Sequence, residues 1–384
     1  MILHTLIDYE VLRVIWWLLL GVLLTGFAVT DGFDLGVGML LPFAGRSDLE
    51  RREIINSIGP VWEGNQVWLV LGGGAIFAAW PQLYAVSFSG FYLAMFAILV
   101  ALILRPVAFK FRGKREEASW RARWDWALFV GGFVPSLIFG VAMGNVLQGV
   151  PFRFGTDMHI FYDGSFFGLL NPFALLTGLV SVAMLAMHGA AWLQLKTSGA
   201  VAARARTFGS FGALATLVLY ALAGLLLWHF VGGYHVTSSL PADGPSNPLL
   251  KTVETHAGAW FANYEAHPWL YLVPGVGLAG AFVALLGLRM RLEMTTLLAS
   301  ALSIAGIVLS VGVSMFPFIL PSSSDPRASL TVFDSSSSHL TLFIMLVVTV
   351  IFIPLIVAYT GWVYRVLRGK VDVAAISEDR GHAY

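Results

Sequence analysis

The sequence predicts an all-α polytopic membrane protein of nine transmembrane helices, a single integral membrane domain over residues 1–384. Three observations carry this. Hydrophobic residues make up 58% of the chain and charged ones only 12%, which no soluble globular domain tolerates. Apolar runs of about 20 residues, the length a helix needs to cross hydrocarbon, recur from end to end. Basic residues also fall in alternate loops, as a fixed orientation in a membrane requires. The 40 glycines suit close helix packing in lipid, and the 13 tryptophans and 11 tyrosines suit interfacial belts. A net charge of +1 favours neither nucleic acid nor an acidic soluble partner. With no cysteine, the chain offers no disulfide, no thiolate-held iron–sulfur cluster and no covalent c-type haem.

In order, the expected spans lie near 11–40, 54–79, 82–104, 124–149, 166–195, 207–230, 269–289, 293–319 and 338–367. The first is about 45 Å long by helical rise, more than the bilayer needs, so it should tilt or break near Gly32, Gly36 and Gly38. It runs past Asp31 to Phe43 without a small-residue cleavage site, so a cleavable signal peptide is not expected. The second carries Pro60, which removes a backbone donor and should kink one continuous helix beside Glu63. Arg105-Pro106 closes the third and Trp124-Asp125-Trp126 opens the fourth, both read chiefly as headgroup anchors.

Arg46, Arg51 and Arg52 follow the first span, and seven Lys/Arg between Arg105 and Arg123 follow the third. Lys196, Arg204 and Arg206 follow the fifth, Arg289 and Arg291 the seventh, and Arg365, Arg368, Lys370 and Arg380 the ninth. The remaining loops hold Arg153, Lys251 and Arg327 alone. The amino terminus is then expected outside, the carboxyl terminus in the cytoplasm, and loops 231–268 and 320–337 outside.

Three carboxylates lie within the apolar sequence, where an ionised acid is costly and usually marks an ion or proton route. Asp31 and Asp34 are three apart and share a helical face. They suit either a proton or cation site, or a structural pair salt-bridged to Arg46 or Arg105. Glu63 heads a polar stripe with Asn56 and Gln66, with Asn65 on the neighbouring stripe beside Trp68. By rise along the helix Glu63 lies about 13 Å from its start. Burial there would raise its proton affinity and suit it to proton exchange, against a neutral glutamate that only links helices. Of nine histidines only His188 is well inside a span, and no facing partner for axial haem ligation is evident.

The segments GFAVTDGFDLGVGML, INSIGPVWEGNQVWLV, AAWPQLYAVSFSGFY, RPVAFKFR, GNVLQGVPF, LLNPFALL and MFPFILPSSS, in that order, resemble subunit II of the cytochrome bd-type quinol oxidases over nearly the whole length. Where many members carry Asp, this chain has Glu63. The resemblance implies two four-helix bundles plus one peripheral helix, and a heterodimer in the bacterial cytoplasmic membrane with a larger subunit I. That partner would hold haem b558, haem b595 and haem d. Quinol (ubiquinol or menaquinol) would be oxidised near the external face and oxygen reduced to water with cytoplasmic protons, generating proton motive force. Trp62 and Glu63 would then feed protons along the subunit interface, with Asp31, Asp34, Asn65 and Gln66 on the same path. Trp68 would lie near the apolar route by which oxygen arrives. Some members also hold a structural quinone in this subunit, and a small accessory subunit is compatible with the assembly. The alternative from another class is a proton-coupled secondary transporter using Asp31, Asp34 and Glu63. Against it, the sequence shows no inverted repeat.

Overall fold

The computed structural model describes residues 6–378; Arg380 lies outside them. Helix α1 (Tyr9–Ala44) is followed by α2 (Asp48–Ile58), α3 (Trp62–Asn65), α4 (Val67–Ala79), α5 (Pro81–Gly90) and α6 (Tyr92–Phe111). Then come α7 (Ala118–Gln148), α8 (Pro172–Lys196), α9 (Gly199–His229), α10 (Ala262–Ala266), α11 (Leu272–Met290), α12 (Glu293–Met315), α13 (His339–Val366) and α14 (Val373–Glu378). Among the described residues eight helices are long and apolar enough to cross a membrane. A ninth candidate is the pair Trp62–Ala79 and Pro81–Gly90, bent by 119°. The chain is therefore an all-α multi-pass membrane protein.

Helix α1 runs through the middle, against α4, α7, α8, α12 and α13. It stays helical through Gly32, Gly36 and Gly38 rather than breaking there. Those glycines serve contact instead. A Cβ on Gly36 would land on the Leu185 carbonyl oxygen and the backbone of Gly189, so α1 and α8 meet backbone to backbone. Gly132 of α7 abuts Leu35 and Met39 of α1 in the same manner.

The second expected span is not one kinked helix. Ser47 and Glu50 form a capping box that starts α2, an amphipathic segment, and the helix ends at Ile58. Gly59, Pro60 and Val61 form a turn, closed by Val61 N–H donating to Ile58 O at 2.9 Å. Proline cannot donate to the preceding turn and crowds it, so the ladder is cut rather than bent. The single turn α3 follows, and Gln66 joins it to α4. Trp80, non-helical at φ −135 and ψ 77 before Pro81, makes the sharp bend into α5. The third span is interrupted at Phe91, and the eighth ends at Met315, four residues short of expectation.

Three antiparallel hairpins occupy the loops that the charge pattern assigns outside. They are β1 (Phe152–Phe154) with β2 (Ile160–Tyr162), β3 (Gly232–Val236) with β4 (Val253–Ala257), and β5 (Phe318–Leu320) with β6 (Leu330–Thr331). In the second, Gly232 faces Ala257 and Val236 faces Val253. Buried polar contacts fasten this cap. Arg13, fully buried, donates from Nε to Ser336 Oγ (2.8 Å), from Nη1 to Ala242 O (2.6 Å) and from Nη2 to Gly244 O (2.9 Å). Lys251 pairs with Asp334 at 2.7 Å, with both side chains nearly inaccessible.

At the opposite end Asp125 binds Arg51 (2.9 Å) and Arg112 (2.6 Å), and Asp48 binds Arg112 (2.8 Å) and Arg121 (2.6 Å). Asp125 is thus buried in an ion-pair network and not a headgroup anchor, whereas Trp126 is exposed as an anchor should be. Lys370 pairs with Glu293 at 2.7 Å, and α14 returns to pack on α2. Glu53 of α2 is buried, accepts the Ser198 N–H at 3.2 Å, and is pushed above the usual carboxylate range by that burial.

Candidate functional site

One polar cluster lies among the apolar helices, built from α1, α3, α6 and α13. The Arg105 guanidinium of α6 grips Asp31 with two bonds, Nη1 to Oδ2 at 3.1 Å and Nη2 to Oδ1 at 2.9 Å. Side-chain exposure is 3% for Arg105 and 0% for Asp31, so the pair is desolvated and bidentate. Arg105 is therefore not a headgroup anchor. The structural alternative for Asp31, a salt bridge to Arg105, is what the fold builds.

Asp34, one turn on, has a different environment. Its Oδ2 accepts from Asn65 Nδ2 at 2.7 Å, while its Oδ1 is buried with no donor. Asn65 Oδ1 in turn accepts from the Tyr364 hydroxyl of α13 at 2.6 Å. The phenol fixes the amide so that its NH2 faces the carboxylate. With Asp31, Asp34 and Arg105 all ionised the cluster would carry a net charge of −1, and one proton on Asp34 would neutralise it.

Trp62 roofs the cluster. It is buried, stacks on Phe109 with centroids 5.0 Å apart and planes at 13°, and lies 5.8 Å from Arg105 Cζ. Its indole Nε1, like that of Trp68, is buried without an acceptor. Phe33 stacks on Trp192 at 4.0 Å, with Tyr364 edge-on to both rings, closing the cluster toward α8.

Of the residues singled out in the sequence, Asp31, Asp34, Asn65 and Trp62 come together. Glu63 does not join them. It is exposed on the surface of the chain, on the single turn α3, and has no side-chain hydrogen bond or ion pair among the described residues. Its expected depth assumed a helix that the Gly59–Val61 turn interrupts, so the stripe of Asn56, Glu63 and Gln66 is not a single face. Gln66 is half-buried at the junction of α3 and α4. Trp68 packs against Gly26 of α1, where a Cβ would come within 2.9 Å of its ring. Arg105 and Tyr364 complete the cluster; in the sequence only the carboxylates' need for a cation points to Arg105, and nothing local points to Tyr364.

His188 is buried and spends both ring nitrogens, Nδ1 on Ser300 Oγ at 2.7 Å and Nε2 on Val29 O at 2.9 Å. Both nitrogens face protein oxygens at hydrogen-bond distance, so neither is open to a haem iron in this arrangement. Among the described residues, no three His, Cys, Asp or Glu side chains are grouped to hold a metal ion. The transporter alternative needed Asp31, Asp34 and Glu63 in one ion site, but the fold ties Asp31 to Arg105 and turns Glu63 outward.

Comparison with known proteins agrees with this architecture. The profile of the family described as cytochrome bd terminal oxidase subunit II matches residues 12–367. The chain is 50% identical over 379 residues to the cytochrome bd-I ubiquinol oxidase subunit 2 of Escherichia coli K12, covering 99% of this chain and all of that one. It is 32% identical over 365 residues to the cytochrome bd ubiquinol oxidase subunit 2 of Bacillus subtilis, covering 93% of this chain and 96% of that one. A chain in the structure of bd oxidase from Geobacillus thermodenitrificans shares the fold, with a TM-score of 0.69, 17% identity, and coverage of 93% of this chain and 98% of that chain. Matches of this extent, running through the Asp31–Arg105 cluster and both flanking helix sets, establish that the chain belongs to the cytochrome bd terminal oxidase subunit II family.

Proposed function

We propose that this chain is the subunit of a bd-type quinol:oxygen oxidoreductase that ligates no haem, and that it carries cytoplasmic protons toward its partner along Glu63, Asn65 and Asp34. It pairs with a haem-bearing subunit I, where quinol is oxidised and oxygen is reduced to water. Family membership supports the pairing. The observation that carries the proton role is the buried Asp34 carboxylate, with one oxygen free of donors and the other held by an amide on the same single turn as exposed Glu63. Such a carboxylate can take up and release one proton without breaking an ion pair, because Asp31 alone is tied to Arg105.

The basic residues set the orientation, with the amino terminus outside and Glu63 near the cytoplasmic side. Counting Trp62–Ala79 as the second span and Pro81–Phe111 as the third gives nine, arranged as two four-helix bundles with α13 peripheral. The membrane-length window of α13 is only 6% buried. Exposed Val70, Phe77, Leu93 and Phe96 on α4 to α6, with Ile351 and Leu355 on α13, give subunit I an apolar face beside Glu63.

Glu63→Gln, which keeps size and loses the proton, should slow quinol-driven oxygen consumption on the order of tenfold or more. Glu63→Asp, which keeps the acid, should retain activity. The measurement is oxygen uptake by the purified heterodimer, normalised to its haem d content. Full activity and full haem d in Glu63→Gln would make Glu63 a surface residue of the interface with no part in proton delivery.

A further inference from the structure

Most buried or half-buried arginines on the cytoplasmic side have a carboxylate, as Arg51, Arg112, Arg121 and Arg204 do, and exposed Lys370 has one too. Where α9 and α11 meet, half-buried Arg206 breaks the pattern, beside the exposed Arg289 and Arg291. Arg206, Arg289 and Arg291 form no side-chain hydrogen bond or ion pair among the described residues. Packing brings them together: a Cβ on Gly209, one turn after Arg206, would come within 3.1 Å of Leu288, which adjoins Arg289. Arg206 and Arg291 are close enough to repel, and the nearby carboxylate, Glu293, is taken by Lys370 at 2.7 Å.

Arg291 also ends α11 in the left-handed conformation, φ 61 and ψ 33, where glycine is the usual residue. The backbone there would accept glycine more easily, yet the position carries a cation. Around it Met290, Leu292 and Met294 are exposed, so arginines alternate with apolar side chains at the membrane surface. Helices α9 and α11 pack on α8 and on each other, away from the α4–α6 face proposed for subunit I, so the patch remains open to lipid in the heterodimer.

We infer that this cluster is a binding site for one anionic glycerophospholipid, its phosphate bridging Arg206 and Arg291 with Arg289 at the rim, and its acyl chains on the adjoining apolar surface. A phosphate oxygen accepts from several guanidinium donors at once and relieves the repulsion between them, which a zwitterionic headgroup does less well.

The test uses the purified heterodimer in detergent, titrated with phosphatidylglycerol, phosphatidylcholine or inorganic phosphate, and read by native mass spectrometry and thermal midpoint. The wild type should retain a phosphatidylglycerol adduct and gain thermal stability from that lipid alone. In the double variant Arg206→Gln, Arg291→Gly, affinity for it should fall about thirtyfold, since each cation is worth roughly fivefold at an anionic surface. Quinol oxidase activity should not change. The glycine suits the left-handed backbone, so misfolding is not built into the variant; Arg206→Gln alone should give about a fivefold loss. The proposal is overturned if the variants hold phosphatidylglycerol as tightly as the wild type. Equal binding of phosphatidylcholine, or the same stabilisation by inorganic phosphate, overturns it too.

Discussion

The Arg105–Asp31 pair separates a strut from a proton carrier through a double-mutant cycle. Both side chains are 3% exposed or less and share two hydrogen bonds, so removing one partner strands an ion in a medium that cannot solvate it. Breaking a buried pair from one side costs about 3–5 kcal/mol, whereas replacing both partners by neutral groups costs far less. Asp31→Asn should therefore destabilise the heterodimer by about 3 kcal/mol. Arg105→Gln should cost more, toward 5 kcal/mol, because the guanidinium also acts on Asp34, and its loss leaves two carboxylates facing each other. The double variant should recover to within about 2 kcal/mol of wild type. At roughly 2 °C per kcal/mol, the single changes lower the thermal midpoint by about 6–10 °C. Tryptophan fluorescence on the purified heterodimer reads the midpoint, and quinol-driven oxygen uptake reads function. Three variants as stable as wild type would refute the strut. A double variant that regains stability but stays inactive would show that Asp31 itself handles protons.

Glu53→Gln should raise the thermal midpoint at pH 7 while keeping the acceptor for Ser198 N–H. Because the folded carboxyl lies above 4.5, its ordinary value, the folded state holds more protons between 4.5 and its raised value, and stability falls as pH rises through that window. The gain should vanish below about pH 4.5, and an equal gain at pH 4 and pH 7 would show that packing, not charge, is responsible. Topology is tested by introducing Lys114→Cys and Asp243→Cys, since the chain has no cysteine. An impermeant thiol reagent applied outside intact cells should label position 243 and not 114, and the reverse would invert the orientation.

Much of this fold is legible in local sequence. Span length follows from local hydropathy; the Ser47–Glu50 capping box and the Trp80-Pro81 bend also rest on neighbouring residues, but a hydropathy reading passes over both. The Gly59-Pro60 pair predicts a kink, yet a proline after glycine equally suits a break. Hydropathy does not distinguish the two, and the break is what leaves Glu63 exposed. The partners of the site lie far apart in the chain. Asp31 and Arg105 are separated by 74 positions, Asn65 and Tyr364 by 299. No period encodes such pairings. A tyrosine near the basic end of an apolar helix looks like any interfacial aromatic until the neighbouring helix is placed against it.

The Arg13 clamp has a consequence in time. Its guanidinium enters the membrane early in synthesis, yet the Ser336 hydroxyl it binds is encoded 323 residues later. At about 5–20 residues per second, roughly 16–65 s pass before the last of its partners is made, after the Ala242 and Gly244 carbonyls. The clamp on the first helix is thus complete only when the segment before the last membrane helix has been made. A truncation just before residue 336 therefore removes more than a peripheral helix. It leaves Arg13 with the Ala242 and Gly244 carbonyls but with its Nε donor buried and unmatched, and the subunit should be degraded faster than the full chain.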